Sequence, residues 1–138
     1  MAFFGRKQAQ FSEPAAWWNA RNNQEKILFI LGFYSAMQEF NLMVMSVAET
    51  PSEVFAGTAT NAEMVRTLFQ ATANLCDYSE ISPVELAAHL TAFYPESANK
   101  LIPYAPALQL LRGRLAGESD EKVADDLQRL RRVHSTQG

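Results

Sequence analysis

Cys76, His89 and His134 are the side chains best suited to nucleophilic or general-base chemistry in this chain of 138 residues, which holds one cysteine and two histidines. A thiol nucleophile needs a base within hydrogen-bond reach. No histidine neighbours Cys76 in sequence, so it reads as a small buried hydrophobe. His89 lies one helical turn after Glu85, which makes the two a surface pair on one helix face. His134 falls in the expected C-terminal tail. The zincin HExxH, CxxC, the phosphate-binding loop and the dinucleotide glycine pattern are all missing from the sequence. Paired carboxylates occur only on a solvated last helix. The sequence therefore assigns no catalytic residue, no metal ligand and no cofactor, and the protein is expected not to be an enzyme.

The charges carry more information. Net charge is −3, so no overall basic field exists to hold nucleic acid. Between Thr60 and Asn99 the acids Glu63, Asp77, Glu80, Glu85 and Glu96 face Arg66 alone. The segment Asp77-Tyr78-Ser79-Glu80 reads as a turn exposing two carboxylates and an aromatic ring. Asp77, Tyr78, Glu80 and Glu85 are the first candidate surface, fitted to a basic protein partner, because aromatics anchor interfaces and opposite charge steers encounter. The second candidate is the aromatic N-terminal stretch, with Phe3, Phe4, Phe11, Trp17 and Trp18. Either it folds back on the domain, or it docks on a partner or on a membrane surface beside Arg6 and Lys7. Arg129, Arg131 and Arg132 form a basic run without interleaved aromatics and with acids nearby, so nucleic acid is not an expected partner.

These residues must be positioned by helices, since no β-branched alternating run is present and Pro and Gly sit between periodic segments. Ser12-Glu13-Pro14 opens a short helix to about Ala20. Asn22 with Glu25 is a capping box that starts a long helix ending near Ala48, before Thr50-Pro51. A loop through Gly57 follows, with a short turn around Val54 and Phe55. Thr60 and Glu63 start the next helix, which runs to about Cys76. Ser82-Pro83-Val84-Glu85 opens another, which ends near Tyr94. The next spans roughly Tyr104 to Ala116 and stops at Gly117. Ser119 caps the last, from Asp120 to about Val133. The expected fold is all-α, a single compact bundle of five or six helices around the long helix at about 23–48. Residues 1–11 form an arm, 12–134 the domain and 135–138 a disordered tail.

The long helix poses the main question of class. Between Ile27 and Ala48, sixteen of twenty-two residues are apolar. Such a length could cross a hydrocarbon core of about 30 Å. Gln38, Glu39 and Asn41 sit near its middle, where an acidic group costs about 2.5–3.5 kcal/mol. A buried central helix is therefore expected and a membrane partner is not. Gly32 and Ala36 would then let a neighbouring helix cross closely. Met37, Met43 and Met45 would fill the core. A buried Glu39 would need a partner such as Arg66 or a tyrosine hydroxyl.

In the last helix, acids precede bases, complementing the helix dipole. Val123, Leu127 and Leu130 make a narrow apolar stripe, expected to pack on the domain, with docking on a second copy as the alternative. A lone cysteine suits a reducing compartment and no leader is recognisable, so the cytoplasm is the expected location.

Phe29-Ile30-Leu31-Gly32-Phe33 in the long helix, Cys76 ahead of Ser82-Pro83-Val84-Glu85-Leu86, Phe93-Tyr94-Pro95-Glu96 and the Ala107–Leu115 helix follow one another in an order that resembles the Rap/Tai-type small helical immunity proteins. These protect bacteria against type VI secreted amidases. That family is exported and has a second cysteine near the end of the last matching helix, which this sequence lacks around Leu115. The resemblance implies a helical fold and an inhibitor, in a cytoplasmic version to which the family's periplasmic amidase target does not carry over. The expected function is a non-enzymatic protein-binding module: an inhibitor, immunity protein or adaptor that occupies a partner's surface. The alternatives are a membrane-associated accessory protein or a small regulator that binds nucleic acid or a ligand.

Overall fold

In the computed structural model, residues 13–48 and 59–135 are described, and among them the regular structure is all helical. Six α-helices follow one another: α1 (Pro14–Asn19), α2 (Asn23–Ala48), α3 (Ala59–Leu75), α4 (Pro83–Phe93), α5 (Tyr104–Leu115) and α6 (Asp120–Ser135), with a 3₁₀ turn at Ser97–Asn99. The arm 1–11, with Phe3 and Phe4, and the turn expected at Val54 and Phe55 lie outside the described residues.

Local hydrogen bonds start α2, α4 and α6 and stop α5 where the sequence signals stand, whereas α1 begins after Glu13 without a side-chain cap and α3 already includes Thr60. At α2 the capping box closes both ways: Glu25 N–H donates to Asn22 Oδ1 and Asn22 N–H to Glu25 Oε2, each at 2.9 Å. Ser82 Oγ accepts from Glu85 N–H at 3.5 Å, with Pro83 in the first helical turn. Ser119 Oγ accepts from Lys122 N–H at 3.3 Å. At the end of α5, Glu118 N–H reaches Gly113 O and Gly117 N–H reaches Arg114 O. This paired closure needs a left-handed residue, and Gly117 supplies it with φ +89°. α6 continues to Ser135, so His134 belongs to its last turn and not to a tail. Arg132 and His134 there complement the negative helix end.

The described residues divide into two compact units, one within Met1–Ile30 and Ile81–Gly138, the other within Leu31–Glu80. The first contains most of the core: Trp18, Ile30, Leu86, Leu90, Tyr94, Ile102 and Leu108 are all fully buried. Trp17 and Trp18 from α1, Phe29 from α2 and Tyr104 from α5 stack edge-on or tilted, with ring centroids 5.0–6.3 Å apart. Three polar tips of the core are satisfied across the unit, whereas Trp17 Nε1 is buried without a partner among the described residues. Trp18 Nε1 donates to Thr91 Oγ1, Tyr94 Oη to Ile102 O and Tyr104 Oη to Pro14 O. α6 packs on α5 and on the 3₁₀ turn, with Val123, Leu127 and Leu130 half-buried as the stripe required. Arg131 then ties α6 down: its Nε donates to Asn99 Oδ1 at 2.8 Å and it pairs with Glu96 at 2.7 Å. Asn99, nearly fully buried, passes the link on to Phe93 O.

Burial raises the Tyr94 hydroxyl well above the ordinary phenol range, and Tyr104 adds to the effect. Burial pushes Tyr104 up to about 12, against the opposing charge of Arg21. Both folded values exceed the unfolded value near 10, so this stability is complete below about pH 10 and is lost as pH rises through the folded values. Tyrosinate absorbance should show that, of the four tyrosines, Tyr94 and Tyr104 ionise late and only with alkaline unfolding. Titration of both near pH 10 in the folded protein would contradict their burial.

The long helix has the expected bounds but not the expected burial. Of the apolar side chains of α2, Ile30 and Val44 are buried, while Leu28, Leu31, Phe40, Leu42 and Met43 are exposed. A Cβ placed on Gly32 would meet nothing within 4 Å, so no helix among the described residues crosses closely there. Glu39 is exposed and needs no buried partner. Among the described residues, cover along this helix falls on Lys26, Ile30 and Val44, and on Phe33 and Tyr34 where they meet Tyr78.

Candidate binding surfaces

The acidic turn follows α3 in the Leu31–Glu80 unit. Asp77 accepts from Ser79 N–H at 2.9 Å and from Ser79 Oγ at 2.6 Å, folding the backbone back on itself. That fold buries Tyr78, which is 4% exposed. Its ring lies 5.3 Å from Phe33 and 5.4 Å from Tyr34. Tyr78 is thus a packing residue and not the exposed ring expected from sequence. Asp77 and Glu80 remain exposed, while Glu85 lies in the other unit, on the first turn of α4.

The turn closes one side of a pocket of about 340 Å³, lined by Tyr34, Gln38, Asn41, Leu42 and Cys76–Ser79. Asn41 Oδ1 is buried there without a hydrogen-bond partner. An unpaired buried acceptor costs about 1–3 kcal/mol, which an incoming donor would recover. Sequence reasoning placed Asn41 only as a polar interruption of an apolar run, and Leu42 as core. Leu42 is 60% exposed at the pocket. Leu31, Phe40 and Met43 on α2, and Met64, Leu68 and Leu75 on α3, add further exposed apolar area. Over Leu31–Glu80 the sequence has six acids against one base, whereas the rest of the chain has nine acids against eleven bases.

The other sequence candidates sit in the first unit. Trp18 is 0% exposed and cannot anchor a partner. Trp17 is half-buried under Arg21, whose guanidinium stands 4.8 Å from the ring centroid. The basic run is largely committed: Arg131 to Glu96 and Asn99, Arg129 to Asp126. No group of three or more His, Cys, Asp or Glu able to hold a metal ion occurs among the described residues.

No protein-family model, curated protein or solved structure matches this chain.

The reading of function therefore rests on the site chemistry. Within the first unit, a second pocket of about 300 Å³ is lined by Asn23, Lys26, Ile27, Val84, Ala87, Ala88 and Thr91. Lys26 is 7% exposed, with its ammonium 5.6 Å from the Trp18 ring centroid. A lysine in a first helical turn ordinarily reads as a solvated residue, and sequence analysis gave it no role. The stem is what burial covers, while the ammonium keeps access to solvent. A cation–π contact at such a site contributes about 0.5–1 kcal/mol.

Proposed function

We propose that this chain is a non-enzymatic protein-binding module that captures a basic partner through its Leu31–Glu80 unit. The pocket at the Asp77 turn carries the reading. The Asp77 carboxylate, the unpaired Asn41 Oδ1 and the rings of Tyr34 and Tyr78 line a space suited to a lysine or arginine side chain. Exposed Leu42 at the pocket, and the apolar side chains of α2 and α3, supply desolvated contact area of the kind that holds a partner once charge has steered it in. Inhibition, immunity or adaptor function needs only such occupancy, and the resemblance to the Rap/Tai type favours the inhibitor form.

Asp77→Asn tests the charge apart from the turn, because an amide oxygen still accepts from Ser79. Partner capture from native lysate should fall about tenfold, less so at high salt where the wild type weakens too, while thermal stability holds. Unchanged capture would remove the pocket from the interface.

A second reading, a membrane-associated accessory protein, is favoured by one observation. Asn23–Ser46 is long and apolar enough to cross a membrane by length and composition, with mean hydropathy 1.4, and only 11% of its most apolar stretch is buried. Two features weigh against a span. Lys26 and Ile30 are packed into the first unit, and of the remaining Leu31–Ala48, Phe33 and Tyr34 pack on Tyr78 and Val44 is buried. Eighteen residues reach about 27 Å, short of a core of about 30 Å, and Glu39 stands in their middle.

A further inference from the structure

The Lys26 pocket lies in the first unit, independent of the surface assigned to partner capture. We propose that it binds a carboxylate carried on a short apolar stem. Lys26 is more than nine-tenths buried, and no carboxylate pairs with it among the described residues. The acid beside it in sequence, Glu25, is already engaged: it caps Asn22 N–H and lies 3.9 Å from Arg21. The stem of Lys26 is buried and its ammonium keeps access to solvent, so an unpaired cation stands at an apolar pocket, placed to pair with an anion whose stem enters it. Its position reinforces this, since Lys26 sits in the first turn of α2, where the helix dipole already favours negative charge.

The walls select what carries the charge. Ile27, Val84, Ala87 and Ala88 are apolar, and the small alanines of α4 leave the room that larger residues would fill. Thr91 offers little, because its hydroxyl donates to Ala87 O and accepts from Trp18 Nε1. The exposed Asn23 amide stands at the rim as a neutral donor and acceptor. One cation, one amide and an aliphatic wall match a carboxylate with a few carbons behind it. Inorganic phosphate would leave the walls uncovered and bring more charge than one ammonium balances. Two sources share the chemistry: a free short-chain acid, or the C-terminal carboxylate of a peptide ending in an aliphatic residue.

The test titrates the full chain with hexanoate and with N-acetyl-leucine, following amide chemical shifts. Hexanamide and N-acetyl-leucinamide serve as neutral controls. At least one acid should bind about tenfold or more tightly than its amide, with shifts centred on Asn23–Ile27 and Val84–Thr91. Hexanoate binding alone identifies a small-acid site, and N-acetyl-leucine binding alone a peptide C-terminus. Lys26→Met should remove binding while keeping the melting temperature, since an unbranched apolar side chain of similar length still covers the ground of the buried stem. Ala88→Leu, which keeps the charge but fills the pocket, should also block binding. If neither acid binds better than its amide, or if Lys26→Met binds both as well as wild type does, the proposal is wrong.

Discussion

Trp18→Ala is expected to cost about 3–5 kcal/mol of folding stability, the range for truncating a fully buried aromatic, which is a large part of the total for a domain of this size. Trp18 is wholly buried, lies edge-on to Phe29 and donates Nε1–H to Thr91. Truncation opens a cavity at the centre of the first unit and leaves the Thr91 hydroxyl without its donor. It also strips the ring from beneath Lys26. The melting temperature should fall by roughly 10–20 °C. Trp18→Phe keeps most of the volume and loses the hydrogen bond, so it should cost about 1–2 kcal/mol. If Trp18 were instead an anchor for a partner, its truncation would leave the melting temperature unchanged and would weaken binding only.

Leu42→Lys is expected to show the opposite pattern. Leu42 is 60% exposed and lines the Asp77 pocket, so the folded chain loses little by the exchange, within about 0.5 kcal/mol. Binding should suffer twice over. The apolar contact disappears, and a positive charge is set against a basic partner at the mouth of a pocket that selects for one. Loss of a central contact costs about 2 kcal/mol or more, close to thirtyfold in affinity. A fall in stability with binding intact would mean that Leu42 is core in the working protein, as the hydrophobic run of α2 first implied.

The contrast between these two residues shows what the sequence could and could not convey. Caps are local: Asn22 with Glu25, Ser82 with Glu85, Ser119 and Gly117 act within a few residues, and each is found at work where its spacing placed it. Burial is not local. The composition of α2 demands cover but does not say what supplies it, and the first unit takes only its opening turns. The Asp77 turn was legible as a turn, but not the burial of Tyr78, which depends on Phe33 and Tyr34 some forty residues earlier. Trp17 and Trp18 read alike in sequence, yet only Trp18 is fully enclosed. Asn41 read only as a polar interruption and Lys26 as a solvated lysine, because a group's burial is defined by what surrounds it.

The exposed apolar surface of the Leu31–Glu80 unit is tested most directly by a photoreactive amino acid placed at position 42 and irradiated in the producing cell. A discrete protein adduct is expected from position 42 and not from position 125, an exposed site on α6, and Asp77→Asn should diminish it. Adducts to lipid, or the same products from both positions, would contradict a protein-binding role for this surface.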